Sequence, residues 1–259
     1  MRILVCIKQV PEFEHIQITR AQQGAALLGE YPGYKINRFD EFAVEEAVQI
    51  KESREGASVD VLTVGPERAA EVLKRAIGMG ADNGIHLLTD AGDWICPSVL
   101  ASWIAAYAGT KAYDLVLCGS MSEDGMNGQV GPMLAAGLGI ACATQAIAAK
   151  PAGDLGAIAV EREIENGSRE LLELSLPALL ALQTGANTPR YPSLSNLLRA
   201  SKQEMEQVRA ETLCSAPTGR DVLGFEIPGK SRAGRPLTGS AREKAGQLLA
   251  LLREKALIQ

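Results

Sequence analysis

Histidine is almost missing from this chain: His15 and His86 are the two among 259 residues. They lie far apart and neither has an evident orienting partner, so an imidazole acid/base pair or metal site has little material. Both read as structural or solvated. Aromatic residues are also scarce, at 4%, which leaves few platforms for stacking bases. A formal net charge of -5 and a pI near 5.3 remove the bulk attraction for nucleic acid that a basic domain would have. Cysteine is present five times, as Cys6, Cys96, Cys118, Cys142 and Cys214, with no C-x-x-C spacing. An odd, scattered set supports neither a disulfide framework nor a zinc site, and a cytoplasmic location is the expectation. Mean hydropathy is +0.02 and no apolar run reaches the roughly 18 residues of a membrane span. The opening MRILVCIKQV is apolar only briefly before Lys8 and Pro11, without an A-x-A-like site, so it reads as a strand and not as a signal peptide.

Familiar catalytic and cofactor fingerprints are missing as well. KQVPEFEHI, after the first strand, has no glycine, so the dinucleotide motif G-x-G-x-x-G is absent where it would carry meaning. No G-x-S-x-G occurs. The P-loop pattern matches once, from Gly224 to Ser231, but RAGRPLTG follows, with no helix to receive phosphates. That match carries no prediction.

What is present alternates strand and helix. RILVCIK, VDVLTVG, GIHLL and DLVLCGS are short runs apolar on both faces, as in strands of a parallel sheet. Between them, 40–53 places Phe42, Ala43, Ala47 and Ile50 on one helical face, and 66–79 does so with Ala69, Val72, Leu73, Ala76 and Ile77. Pro66 suits a helix start, and Gly78 or Gly80 can end that helix. ICPSVLASWIAAYAG and GQVGPMLAAGLG are two further helices. The order predicts a doubly wound α/β domain with right-handed crossovers.

Beyond Lys150 the pattern changes. AIAVEREIE and SRELLELSL flank Asn166 and Gly167, a hairpin signal that extends the mainly parallel sheet with antiparallel strands. PALLALQTG is one more strand. ANTPRYPSLSNLLRASKQ, rich in turn formers, reads as an irregular arm, and Ala216 to Leu237 as an extended tail. Ser240 and Glu243 form a capping box for a terminal helix with Ala245, Leu248, Leu249, Leu252 and Ala256 on one face. The expected organisation is an α/β domain over 1–185, then an arm, tail and helix over 186–259, the apolar helix face packing on its own domain or docking on a partner subunit.

The strongest site candidate is the glycine-rich stretch Cys118 to Pro132, between a strand and a helix. Gly119, Gly125, Gly128 and Gly131 let backbone N–H groups approach an anion, and the helix N-terminus favours negative charge. Ser120, Ser122 and Asn127 add neutral donors. Glu123 and Asp124 would repel a phosphate unless they cap backbone amides or face a sugar hydroxyl. A second stretch, INRFDEFAVEEAVQIKE, reads either as a well-capped hydrophobic helix or as a loop closing over an adenine ring; Asp40 and Glu41 suit its helix start.

These segments occur together with ILVCIKQVPEF, GMGADNGIHL, VEREIENGSRELLELSLPALLAL and TPRYPSLSNLLRA in an order and spacing that resembles the β (small) subunit of electron transfer flavoprotein. The resemblance implies an α/β nucleotide-binding domain paired with a larger α subunit that holds most of an FAD. It places the nucleotide, AMP or in bifurcating members a second FAD, on Cys6, Asn37, Arg38, Phe39, Asp40 and Val64, and on Gly119, Ser120, Met121, Ser122, Glu123, Asp124, Gly125, Met126, Asn127, Gly128, Gln129 and Val130. Met126 stands where an acidic residue is common and Arg38 where proline is usual; Arg38 is either solvated or available to a further phosphate. Phe13 matches an aromatic position near the α subunit's flavin. Arg162, between Glu161 and Glu163, belongs to the signature hairpin and reads as structural. Leu194 matches the anchor of a partner-recognition loop, with Arg190, Leu197, Leu198 and Arg199 around it.

By the same resemblance, the partners are the α subunit, an acyl-CoA or other flavin dehydrogenase as donor, and a quinone oxidoreductase or similar acceptor. No catalytic residue and no metal ligand is expected in this chain, which would be an electron carrier subunit and not an enzyme. The rival reading is a stand-alone adenine-nucleotide sensor or hydrolase on the same fold.

Overall fold

The computed structural model describes residues 1–12, 18–20, 26–28, 33–91, 94–152, 156–215, 234 and 236–258, with backbone alone at 18–20 and 26–28. Two compact units emerge: 1–18 with 28–223, and 19–27 with 224–259. In chain order the strands and helices begin with β1 (Arg2–Cys6), β2 (Gln9–Pro11), β3 (Ile18–Arg20), β4 (Ala26–Leu28) and β5 (Tyr34–Ile36). Next come α1 (Arg38–Glu52), β6 (Ser58–Gly65), α2 (Ala70–Met79), β7 (Asn83–Leu88), α3 (Pro97–Ala108), β8 (Leu115–Gly119) and α4 (Val130–Leu138). The remainder is β9 (Ala141–Ala152), β10 (Ala157–Glu163), β11 (Arg169–Ser175), β12 (Ala178–Leu182), α5 (Leu194–Ala200), β13 (Glu206–Arg209) and α6 (Ala241–Glu254).

Nine strands form one sheet in the order β11-β10-β9-β12-β8-β1-β6-β7-β13, parallel from β9 to β13. Alternation along β1 explains its two-sided burial. Ile3, Val5 and Ile7 enter the core under α1 and α2, while Leu4 and Cys6 enter the core under α3 and α4. The fold is therefore the doubly wound α/β arrangement expected, and β10 and β11 extend it as an antiparallel pair. Their connection is longer than two residues: Ile164 N–H donates to the Ser168 carbonyl at 2.9 Å, and Asn166 and Gly167 are both left-handed between them. Gly80, at φ 131°, ends α2, whereas Gly78 lies inside it.

Sequence periodicity did not reveal several elements. β9 is twelve residues, half of them alanine, and carries too little hydrophobic contrast to be legible as a strand. Residues 194–200, expected as irregular arm, are α5, and 206–209, to which the sequence pattern assigned no element, are β13, which pairs with β7 at the sheet edge, Gln207 opposite His86. His86 is 1% exposed, with Nε2 at 3.0 Å from the Gly65 carbonyl, and is structural. The terminal helix α6 has the expected capping box: Ser240 Oγ accepts from Glu243 N–H, and the Glu243 side chain accepts from Ser240 N–H. Leu248 and Leu249 on its apolar face are 48% and 43% exposed. The P-loop-like match at Gly224 to Ser231, most of the stretch from Ala216 to Leu237, and His15 lie outside the described residues.

Candidate functional site at the sheet switch point

The chain runs β1, β6, β7 outward on one side of β1, then returns through α3 to place β8 on the other side. At such a reversal the two crossover helices leave on opposite faces, and a crevice opens at the carboxyl ends of the strands. A pocket occupies this place. The strand ends supply Cys6, Val64 and Gly119; the N-terminus of α1 supplies Asn37 and Asp40; the segment before α3 supplies Trp94 and Ile95; and the loop before α4 closes it.

Of the residues expected to meet a nucleotide, Cys6, Asn37, Asp40, Val64, Gly119, Ser120, Met121, Ser122, Gly125, Asn127, Gly128, Gln129 and Val130 line this one pocket. Arg38, Phe39, Glu123, Asp124 and Met126 do not. Arg38 is exposed and borders a separate surface groove with Lys35, Arg75 and Tyr191. Met126 is 68% exposed at φ 48°. Phe13 lies outside the described residues. Lys8, Trp94, Ile95 and Leu100 line the pocket without having been singled out from the sequence. Trp94 follows no helical or strand pattern, and Ile95, read from the sequence as the first residue of a helix, lies before α3, which starts at Pro97.

The loop from Ser120 to Gln129 is held from several sides. Asn37 is 1% exposed; its Nδ2 donates to the Met121 carbonyl at 2.9 Å and its Oδ1 accepts from Glu123 N–H at 3.0 Å. Ser120 N–H donates to the Leu182 carbonyl at 2.8 Å. Gly128 sits at φ +60°, where a Cβ would approach the Ser120 carbonyl to 3.2 Å, so glycine meets both a backbone and a packing demand. Asp40 ties the strand ends together: Oδ2 accepts from Lys8 N–H at 2.7 Å and Oδ1 from Gly119 N–H at 2.8 Å. Burial pushes the Asp40 carboxyl up to about 7, against the lowering influence of these two N–H groups, Asn37 and the Lys8 charge.

The two acidic loop residues are neutralised locally. Asp124 accepts from Lys8 Nζ at 2.8 Å and 2.6 Å and from Gly125 N–H at 2.7 Å. Burial acts to raise this carboxyl, but the bonds from Lys8 and Ser122, the Lys8 charge and Gly125 outweigh it and hold it below the usual carboxylate range. Glu123 turns outward, accepting from Arg38 N–H at 3.3 Å and facing Lys35 Nζ at 3.4 Å. Repulsion of a bound phosphate, the difficulty raised by the sequence, is thereby relieved. Lys8→Met is expected to cost about 2 kcal/mol, since it strands a buried carboxylate while the lysine itself is one-third exposed. Urea unfolding of the variant checks this; an unchanged midpoint would refute it.

The pocket floor is apolar and chemically quiet. Cys6 and Cys118 stand opposite each other on β1 and β8. Burial pushes the Cys6 thiol up to about 12, with the Asp40 charge adding to it, and raises Cys118 well above the ordinary range. Neither is an activated nucleophile. With Leu62, Val64, Leu100 and Ile104 they form a slot suited to a flat ring, while the start of α4 presents backbone N–H groups at the other side.

The arm is a separate feature. Ser193 caps α5, and Leu194 and Leu198 point outward, 74% and 56% exposed. Leu197 does not share that exposure: it packs down on α2, where a Cβ on Gly78 would lie 2.9 Å from its Cδ2. Arg199 is exposed, and the Arg190 guanidinium turns inward to Glu45.

A family model described as electron transfer flavoprotein domain matches residues 27–213. The chain is similar to the electron transfer flavoprotein subunit beta of Bacillus subtilis, at 35% identity over 230 residues, 86% of this chain and 87% of that one. It is 34% identical over 272 aligned residues, covering all of both chains, to the caffeyl-CoA reductase-Etf complex subunit CarD of Acetobacterium woodii. Similarity to the human electron transfer flavoprotein subunit beta is 32% over 237 residues, 90% of this chain and 91% of the human one.

Proposed function

The chain belongs to the electron transfer flavoprotein family, on the side of its β subunits, and from that premise we propose that it pairs with an α subunit and carries one nucleoside monophosphate, AMP, in the switch-point pocket. The observation that carries the reading is the pocket itself: an apolar slot beside a glycine-rich loop that lines it with Ser120, Ser122 and Asn127 and leads into the N-terminus of α4. Lys8 is the one cation among its described lining residues, and its ammonium is engaged by Asp124. Arg38, a possible partner for a further phosphate, borders a different groove. Neutral donors and a helix N-terminus suit one phosphate group better than the pyrophosphate of a second FAD.

The flavin of the heterodimer, held mostly by the α subunit, supplies the one- and two-electron chemistry. The described residues of the pocket bring no activated bond-making group. The pocket's thiols, Cys6 and Cys118, are buried, the one described histidine is structural, and Asp40 is occupied by backbone donors. The chain's residues bind, orient and exclude water. Asn37 and Asp40 brace the phosphate loop against β1 and β8, Val64, Ile95 and Leu100 cover the base, and the outward Leu194 and Leu198 form a small docking patch for a flavin dehydrogenase or an acceptor such as a quinone oxidoreductase. The apolar face of α6 is available to the α subunit.

Co-expression with an α subunit, purification, and counting of extracted nucleotides test the proposal. One FAD and one AMP per heterodimer are expected. Two FAD per heterodimer would overturn the choice of AMP, and a colourless chain that forms no heterodimer would favour a stand-alone nucleotide-binding protein.

A further inference from the structure

α5 has seven residues, too few to hold a helix in water by itself, so the direction in which Leu194 and Leu198 point depends on what tethers the segment. One tether is packing on α2, through Leu197 and the Asn196 Nδ2 bond to the Gly78 carbonyl at 3.3 Å. The other is ionic and lies just before the patch. Arg190 N–H and Nε both donate to Glu45 Oε2, at 3.1 and 2.9 Å, and Nη2 donates to Glu45 Oε1 at 3.1 Å. The same guanidinium reaches Glu52, two helical turns further along α1, through Nη1 at 2.5 Å and Nη2 at 2.9 Å. Asn187 Nδ2 adds bonds to the Phe42 carbonyl at 3.0 Å and to Glu46 at 2.9 Å.

This arrangement exceeds what a surface ion pair needs. The Glu45 side chain is 4% exposed and also accepts from Gln49 Nε2 at 2.8 Å. A planar fork spanning two carboxylates, with its own backbone N–H joined to one of them, fixes both the position and the direction of the chain at residue 190. Tyr191, the next residue, is 88% exposed and has the Arg75 guanidinium 5.5 Å from its ring centre.

We infer that Arg190, with Glu45 and Glu52, is a positioning residue that orders segment 191–200 before a partner arrives, lowering the entropic cost of docking without contacting the partner. The inference rests on the reading of Leu194 and Leu198 as a docking patch. It assigns Arg190 to the arm's own anchorage, in place of the direct partner contact expected from the sequence.

The test uses the αβ heterodimer and four variants: Arg190→Ala, Arg190→Lys, Glu52→Gln and Leu194→Ala. Glu52→Gln loosens the latch without leaving Glu45 alone in a buried site, so it remains informative should Arg190→Ala fold poorly. Amide hydrogen exchange of 194–201 is followed in the free heterodimer, and electron transfer from an acyl-CoA dehydrogenase is used as the docking probe. Arg190→Ala is expected to speed exchange in that segment about tenfold and to raise the apparent KM for the dehydrogenase about tenfold at unchanged kcat, with Arg190→Lys and Glu52→Gln between it and the parent. Leu194→Ala is expected to raise KM with exchange unaltered. Unchanged exchange in both Arg190→Ala and Glu52→Gln would overturn the latch alone. Normal docking by Leu194→Ala, or a parent heterodimer that accepts no electrons from the probe, would overturn the docking reading and the positioning role with it.

Discussion

Gly119→Ala is expected to destabilise the protein by about 3 kcal/mol, the upper end of overpacking effects, and to abolish retention of a nucleotide in the switch-point pocket. The reason is steric and specific to this strand end. A Cβ on Gly119 would lie 2.5 Å from Asp40 Oδ1, 2.5 Å from Phe39 Cβ and 2.8 Å from the Phe39 carbonyl carbon. The first of these could yield by rotation, but the last is backbone at the start of α1. Relief therefore requires α1 to retreat from β8, and that retreat breaks the bond from Gly119 N–H to Asp40 and the clamp of Asn37 on Met121 and Glu123. Urea unfolding measures the first effect, and nucleotide content after gel filtration measures the second. An alanine variant with parental stability and full nucleotide content would show that the helix is free to shift. Phe39 thus shapes the site by how closely its backbone approaches Gly119, although its ring does not line the pocket.

Asp40→Ala is expected to cost about 2–4 kcal/mol, because it removes the acceptor for two N–H groups, of Lys8 and Gly119, at the ends of neighbouring strands. Asp40→Asn keeps one acceptor oxygen and turns an NH2 toward the other donor, so a smaller loss is expected. The pair of variants also has a pH signature. Because burial lifts the folded-state pKa of Asp40 to about 7 from an ordinary 3.8, the folded protein retains a proton there that the unfolded chain has released. The associated stability is complete below about pH 4 and is lost as pH rises through about 7. Unfolding free energies of the parent should therefore fall relative to Asp40→Asn between pH 4.5 and 7.5. A constant difference across that range would show that Asp40 stays ionised, held by its two backbone donors.

How much of this was legible in the sequence depends on the kind of signal. Strands buried on both faces announce themselves as unbroken apolar runs, so β1, β6, β7 and β8 could be read, and with them the crossovers and the end of the sheet where the pocket opens. The loop at 119–130 was visible because glycines cluster only there between a strand and a helix. Lys8, in contrast, looked like an ordinary charge after a strand. Its pairing with Asp124, 116 residues away, exists only once β1 and β8 are neighbours. The alanine-rich β9 and the short α5 and β13 were unreadable because their hydrophobic contrast is small and their stability comes from neighbours.

The amino-acid order alone determined the doubly wound class, the hairpin at Asn166 and Gly167 and the capping of α6, since each follows from hydrophobic patterning or from contacts within a few residues. Tertiary structure alone decided which charges are spent internally. Glu45, which points away from the apolar face of α1 on a helical wheel, is buried because residues 187–190 fold back over α1, and Arg190 is consumed in holding it there, while Asn187 bonds Glu46. Leu197 and Leu198 are adjacent in sequence and alike in chemistry, yet one faces α2 and the other solvent. The distinction lies in long-range packing, which no local pattern encodes.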